Sequence, residues 1–557
     1  MGLDLIRDAT VGQILNYVSN GRLLPYADQR PDYVVPARFL LTDARDVGLN
    51  SLPSENEEKR NSPESSGVLT PMEADRRLPG ITNAVADPFL VDWEENDPDN
   101  PRNWSFRKRC FTAGNISLLT FAVYIGSAIY TSSIPGLMEE FNSSLVMGTL
   151  GLTLFILGYG IGPMFLSPIQ DLPSVGRNPG YVGAFSIYLI LQVPLVTAKN
   201  LNTVLAMRFL TGFFGSPALS TGGASMGDIF PPTQVPYVLG IWTLAATVGP
   251  ILGPVIGGFS AQAKGWRWPI LELIWLSGFT LIFLAVFLPE TNGPTILLRR
   301  AKRLRKLTGN NELYTAAERA AQMKTATELT YEALVMPLIL AMEPVLIFIN
   351  IYSGFVYAVF YLWFEAFPIV FLGVYHFNEG VGGLPYLGFL VSSSAALGFY
   401  FLYQIYLIGP RYARAAAENK AVPPEILLEI GLLPAFFIPT SVMMFGFTAK
   451  ASIHWAVPVV GAALYMPGLF LVFQAIWGYI VVSYPGNEAS VMASNTLFRA
   501  SIASVFPLFG RPFFINLGLR GASGLLAGVS FFLIFVYWLL MRYAPILRER
   551  SKYAIKD

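Results

Sequence analysis

Three scarcities bound what this chain of 557 residues can be. It has one cysteine, Cys110, and two histidines, His376 and His454. A lone thiol excludes an internal disulfide framework and cannot build a zinc site by itself, so no metal is expected. So few histidines argue against an enzyme that works through an intramembrane histidine. No G-x-x-x-x-G-K-[ST] phosphate loop occurs, so neither nucleotide nor other cofactor is expected. Charge is also scarce. Asp, Glu, Lys and Arg together make 13% of the chain, against about 25% in ordinary globular domains, and the net charge is only +1. No basic stripe remains for nucleic acid once the membrane-flanking clusters are set aside.

What replaces charge is apolar surface, at 53% of the residues. A bilayer core about 30 Å thick needs roughly 20 apolar residues per crossing. Such stretches occur at about 111–133, 146–169, 180–198, 202–225, 236–260 and 268–289, then 343–371, 382–406, 427–448, 455–480, 489–509 and 521–542. The expected fold is therefore an all-α polytopic membrane protein with twelve spans. A polar stretch divides them six and six, which suggests two pseudo-symmetric six-helix bundles related by an axis along the membrane normal. The expected division is an N-terminal tail over 1–106, bundles over 107–290 and 338–545, a central loop over 291–337 and a C-tail over 546–557.

Orientation follows from basic residues in short loops. Arg102, Arg107, Lys108 and Arg109 precede the first span, Arg299 to Lys306 follow the sixth, and Arg548, Arg550 and Lys552 lie in the C-tail. This distribution places both termini in the cytoplasm, and puts the sequon at Asn142 outside as a glycosylation candidate. In the tail, Leu5, Ile6, Val11, Ile14, Leu15 and Val18 recur at helical spacing, fitting a helix on the membrane surface or one packed on the bundle. No basic n-region followed by an apolar core precedes it, so a cleaved signal peptide is not expected. The Ser-, Pro- and Glu-rich run from about Thr42 to Asn83 lacks the apolar surface needed to order itself, and contains a Ser62-Pro63 phosphorylation candidate.

The fifth span reads TLAATVGPILGPVIGGF. Ala245, Gly249, Gly253 and Gly257 share one helix face and admit a close backbone neighbour, while Pro250 and Pro254 add kinks. Small residues every fourth position are a common packing device. The complete run through Gly258, G-P-x-x-G-P-x-x-G-G, is more particular. It resembles the antiporter motif of the twelve-span drug:proton antiporters in the major facilitator superfamily. Between spans two and three, SPIQDLPSVGRN resembles the loop of the fungal drug-resistance branch. Asp171, Gly176 and Arg177 match its acidic residue and Gly-Arg pair, with two extra residues between them and no second basic residue. Segments from DWEENDPDNPRNWS to PETNGPTILLRRAKRLR, FEAFPIVF and the leading LDLIRDATVGQ resemble the same branch in the same order.

The resemblance implies a proton-coupled efflux transporter that exports small hydrophobic or amphiphilic organics by alternating access, as a monomer in the plasma membrane. Its partners would be cargo, protons and the bilayer. An importer of the same fold, or a non-transporting sensor, stands as the alternative. Ionisable groups inside a membrane cost about 2.5–3.5 kcal/mol on insertion scales, so each is a functional candidate. Arg208 matches the arginine of the superfamily's fourth helix, implicated there in proton coupling; the alternative reading is that it only ties helices together through carbonyls or a carboxylate. Glu272 and Glu365 are the carboxylate candidates for the proton. Arg499 reads either as a structural pin or as a cavity cation. Tyr124, Tyr130, Asn350, Tyr357, Tyr361 and Gln474 are candidates for an aromatic cargo cavity at the midplane.

Overall fold

The computed structural model describes residues 2–40, 87–323, 325–420 and 422–556. The stretch expected to be disordered, with its Ser-Pro pair, lies outside them. Ten helical segments among the described residues are long and apolar enough to cross a membrane. The last runs Glu488–Arg550 but breaks at Gly518, whose φ of 68° and ψ of 156° only glycine adopts readily, so it makes two crossings. Leu201–Ser220 adds another helix of span length; Arg208 and its glycines and serines dilute its hydropathy. Counted this way, the crossings number twelve.

The labels used below are α1 (Gly2–Asp8), α2 (Thr10–Val18), α3 (Phe106–Ala128), α4 (Leu145–Asp171), α5 (Arg177–Val196), α6 (Leu201–Ser220), α7 (Val235–Lys264) and α8 (Trp268–Phe287). They continue with α9 (Gly293–Thr308), α10 (Pro344–Phe367), α11 (Leu387–Tyr403), α12 (Phe437–Thr448), α13 (Tyr465–Ser483) and α14 (Glu488–Arg550). At 1.5 Å per residue the 27 residues of α4 reach about 40 Å, more than the hydrocarbon core requires.

Packing follows a repeat. In the first half α3 lies on α7 and α4 on α6; in the second, α10 lies on the first arm of α14 and α11 on α13. These pairs correspond when the span number is advanced by six. The contacts between halves obey the same rule: α4 meets the first arm of α14, and α7 meets α11. Spans two and eleven thus mirror spans eight and five. The sequence showed almost none of this symmetry, because helix packing needs only small and apolar residues at matching depth.

The bundle has a tail end, where the N-terminal segment sits, and a far end. The stretch expected as a central loop is largely helical; α9 buries Thr295, Leu298, Ala301 and Leu304. Leu5 and Ala9 of the N-terminal segment are buried, and α2 packs on α5 and α8, so this helix docks on the bundle. Ile14, Leu15 and Val18 still point outward. Asn142, exposed at the far end, caps its helix in the left-handed conformation with φ 45°.

Candidate transport site between the halves

Midway along the bundle, hydroxyls from both halves meet. Tyr159 of α4 donates to Tyr357 Oη of α10 at 2.9 Å, and Tyr361 Oη lies 3.4 Å from each. Tyr357 and Tyr361 are four residues apart, so one helix face carries both. The ring of Tyr124 on α3 stands 6.2 Å from that of Tyr159. Arg499, on the first arm of α14, completes the cluster. Its guanidinium sits over Tyr357 at 4.6 Å, with Phe473 and Trp477 of α13 at 5.4 and 5.5 Å. It is 5% exposed, and its Nε is buried without a hydrogen-bond partner.

Of the expected cavity residues, Tyr124, Tyr357, Tyr361 and Arg499 come together here. The other three do not. Tyr130 lies inside the first half and donates to the Gly148 carbonyl at 2.9 Å. Asn350 accepts from Asn495 at 3.1 Å, in a buried network within the second half. Gln474 does cross between halves, donating to Thr243 Oγ1 of α7 at 2.9 Å, but at a separate point. Tyr159, Phe473 and Trp477 were not singled out from sequence. The Gly-Tyr-Gly of span two was the available signal for Tyr159, since flanking glycines let neighbours close around a ring.

Arg208 is 1% exposed and meets no carboxylate among the described residues. It donates to the carbonyls of Gly151 at 3.1 Å, Gly126 at 2.8 Å and Ser127 at 3.4 Å, between the rings of Tyr130 and Phe155. Its fork therefore joins α3, α4 and α6. Glu365 is buried one turn beyond Tyr361, against Gly510 of α14. Glu272 on α8 has a buried Oε2 with no partner. Neither carboxylate belongs to the tyrosine cluster.

The glycines of α7 do what their spacing allows. A Cβ on Gly249 would stand 2.8 Å from the Ile125 backbone nitrogen, and one on Gly253 2.6 Å from that of Ile129. One on Gly257 would meet the Ile129 carbonyl oxygen at 2.9 Å, so α7 and α3 touch backbone to backbone. Pro250 and Pro254 are buried within the same helix. Gly258 turns the other way, toward the second half.

At the tail end Arg177 pairs with Asp171 at 2.5 Å and with Asp228 at 3.3 Å. Glu290, which sequence reading passed over within PETNG, organises this loop. Its carboxylate accepts the backbone N–H of Arg177 at 2.9 Å, of Thr291 and Asn292 at 3.0 Å, and of Asn178 at 3.4 Å. Gly176, at φ 88°, is obligatory there: a Cβ would lie 2.4 Å from Glu290 Oε2. The N-terminal segment binds the same place, with Thr10 donating to the Asn178 side chain and the Glu290 N–H donating to the Asp8 carbonyl at 3.2 Å. In the second half Glu425 holds Arg548 at 3.0 Å, and Glu429 holds Arg411 at 2.6 Å.

Comparison with known proteins agrees with this architecture. Residues 116–507 match the sequence model of the Major Facilitator Superfamily. The chain is 40% identical to "Transporter mfs1" of Schizosaccharomyces pombe, covering 99% of both chains. It is 36% identical to the "Cycloheximide resistance protein" of Candida maltosa, again over 99% of both, and 38% identical to "Fluconazole resistance protein 1" of Saccharomyces cerevisiae over 84% and 85%. Among solved structures it is similar to the proton:xylose symporter XylE, with a TM-score of 0.54 and 14% identity over 79% of this chain and 97% of that one. The chain therefore belongs to the Major Facilitator Superfamily, as a multi-pass membrane transporter among the fungal multidrug-resistance proteins of that family.

Proposed function

We propose that this chain exports small hydrophobic or amphiphilic organic compounds from the cytoplasm in exchange for protons. It would work as a monomer in the plasma membrane, with both termini cytoplasmic and the tail end facing inward. The observation that carries the reading is the meeting of Tyr159 and Tyr357 from opposite halves. Hydroxyls that satisfy one another across the boundary lose their partners when the halves part, and a cargo molecule can take their place. The relatives named for cycloheximide and fluconazole resistance support this cargo class.

In this reading the bundles over 107–290 and 338–545 rock as bodies, joined through 291–337. The backbone contact of α7 with α3 keeps the first half rigid and dry during the motion, which favours exchange over leak. The Asp171–Arg177–Asp228 cluster would latch the tail end, and Arg208 would fix the shape of the first half. Glu365, on the same helix face as Tyr357 and Tyr361, would carry the proton, with Glu272 as the second candidate. One proton entering down 100 mV supplies about 2.3 kcal/mol from the electrical term alone.

Overexpression in a drug-sensitive fungal strain tests this directly. Resistance to cycloheximide or fluconazole should rise and should vanish with a protonophore. Inside-out vesicles should accumulate the compound when a proton gradient is imposed. Accumulation that ignores the gradient overturns the proposal.

A further inference from the structure

Two arginines are buried at mid-depth, and they differ in one chemical respect. Every nitrogen type of Arg208 has a carbonyl to bond, so its positive charge is spent on holding three helices. Arg499 is nearly as deeply buried, forms no ion pair among the described residues, and keeps an Nε donor that nothing accepts. Its surroundings are the faces of Tyr357, Phe473 and Trp477, with the Tyr124 hydroxyl in hydrogen-bond reach of the guanidinium but not of Nε. Ring faces stabilise a cation, but they do not satisfy an N–H donor as a lone pair does. A buried donor without an acceptor is costly and calls for an explanation. Placed beside hydroxyls that bridge the two halves, it is explained by something that arrives with the cargo.

We infer that Arg499 selects the cargo: the site takes aromatic or apolar compounds that carry a hydrogen-bond acceptor and no positive charge, and it turns away permanent cations. The Nε–H donates to the acceptor, the aromatic faces hold the body of the molecule, and the fixed guanidinium charge repels a cationic ligand at the same spot. This inference rests on reading the tyrosine cluster as the cargo site. It goes against what an aromatic pocket with few charges suggests by composition, since such walls alone would welcome cations.

The test uses two probes of the same shape, triphenylphosphine oxide and methyltriphenylphosphonium. Both present three phenyl rings on phosphorus; one ends in a neutral oxygen acceptor, the other in a methyl group with a positive charge. Binding to the purified full chain is read by quenching of tryptophan emission, for which Trp477 at 5.5 Å from the guanidinium is the reporter, checked by Trp477→Phe. A hydrogen bond to a charged donor corresponds to about ten- to hundredfold in affinity. The wild type should therefore prefer the oxide by that factor, and Arg499→Met should bring the ratio toward one. Arg499→Gln, which keeps a donor without charge, should raise phosphonium affinity. Arg499→Lys should continue to exclude the phosphonium. Each affinity is corrected for the probe's own partitioning into protein-free detergent, and each ratio is taken on one folded population, so that partial misfolding cancels. A wild-type ratio near one, or a ratio unchanged in Arg499→Met and Arg499→Gln, overturns the inference. Failure of the export reading shows elsewhere, as cycloheximide accumulation that ignores the proton gradient.

Discussion

A Cβ placed on Gly258 would stand 2.6 Å from the carbonyl oxygen of Glu379, which belongs to the other half of the molecule. The contact joins the two halves near the far end, and in the proposed alternating-access cycle it forms when that end closes. Gly258→Ala should therefore hold the halves apart there without disturbing either bundle. Export is expected to fall at least tenfold while surface expression and thermal unfolding stay near wild type. Gly278→Ala is the control, because nothing lies within 4 Å of its Cβ position. Vesicle transport of the two variants, side by side, checks the claim; equal activity in both would remove Gly258 from the closing surface.

Glu365 is buried at one turn from Tyr361, close to the first arm of α14. If it carries the proton, Glu365→Gln freezes the protonated form. Uphill, gradient-driven export should be lost, whereas exchange of labelled for unlabelled cargo at zero gradient should continue at a comparable rate. Loss of both activities together would assign Glu365 a packing role. The same pair of assays on Glu272→Gln ranks the two carboxylates.

Most of the fold was legible because lipid imposes it. A crossing must be apolar for about 20 residues, and no soluble element imitates twelve of them. The glycine face of α7 was legible for a similar reason, since only missing side chains let Gly249 and Gly253 meet the backbone of α3. The candidate site was half legible. Tyr124, Tyr357, Tyr361 and Arg499 announced themselves as polar or aromatic groups at mid-depth, yet so did Tyr130 and Asn350, which bond within their own halves. Depth along a helix can be read from sequence, whereas the direction a residue faces depends on neighbours distant in the chain. Glu290 was missed because its role is to accept backbone N–H groups brought from another helix end.

That role makes a stability prediction. Glu290→Ala leaves four backbone donors unaccepted at a buried loop, where a hydrogen bond to a charged group is worth about 1.5–3 kcal/mol. The variant should unfold at lower temperature by several degrees and lose the order of residues 172–176. Gly176→Ala should do the same by a different cause, since alanine resists φ 88° and its Cβ would strike the Glu290 carboxylate. Combining the two substitutions should cost less than the sum of each alone, because both act on one contact. Full additivity in a thermal-shift cycle would refute the shared mechanism.

The N-terminal segment is held to α9 by charge as well as by apolar packing of Phe39 and Val91 with Ala301 and Leu304. Arg300 reaches Asp97 at 2.5 Å and Asp99 at 3.0 Å, Arg303 reaches Asp28 at 2.8 Å, and Tyr26 lies between Arg7 and Arg303. Burial alone would raise the Asp97 carboxyl; the Arg300 hydrogen bonds and charge, together with backbone N–H donors, hold it below its ordinary value. A carboxyl lowered in the folded state adds stability that is fully present above its unfolded value of about 3.9 and fades as pH falls through the folded one. Docking of the segment should therefore be flat from pH 5 to 8 and weaken only in stronger acid. Arg300→Ala removes the partner and leaves Asp97 buried and unpaired, a loss of about 1–3 kcal/mol. At neutral pH it should speed trypsin cleavage after Arg102 and Arg107, whose side chains are exposed on folded backbone in the wild type. Asp97→Asn, which keeps the shape without the charge, should lie between them. Equal cleavage rates in all three proteins would mean that apolar contacts, of Leu5 and Ala9 and of Phe39 and Val91 with α9, rather than these ion pairs, fasten the tail.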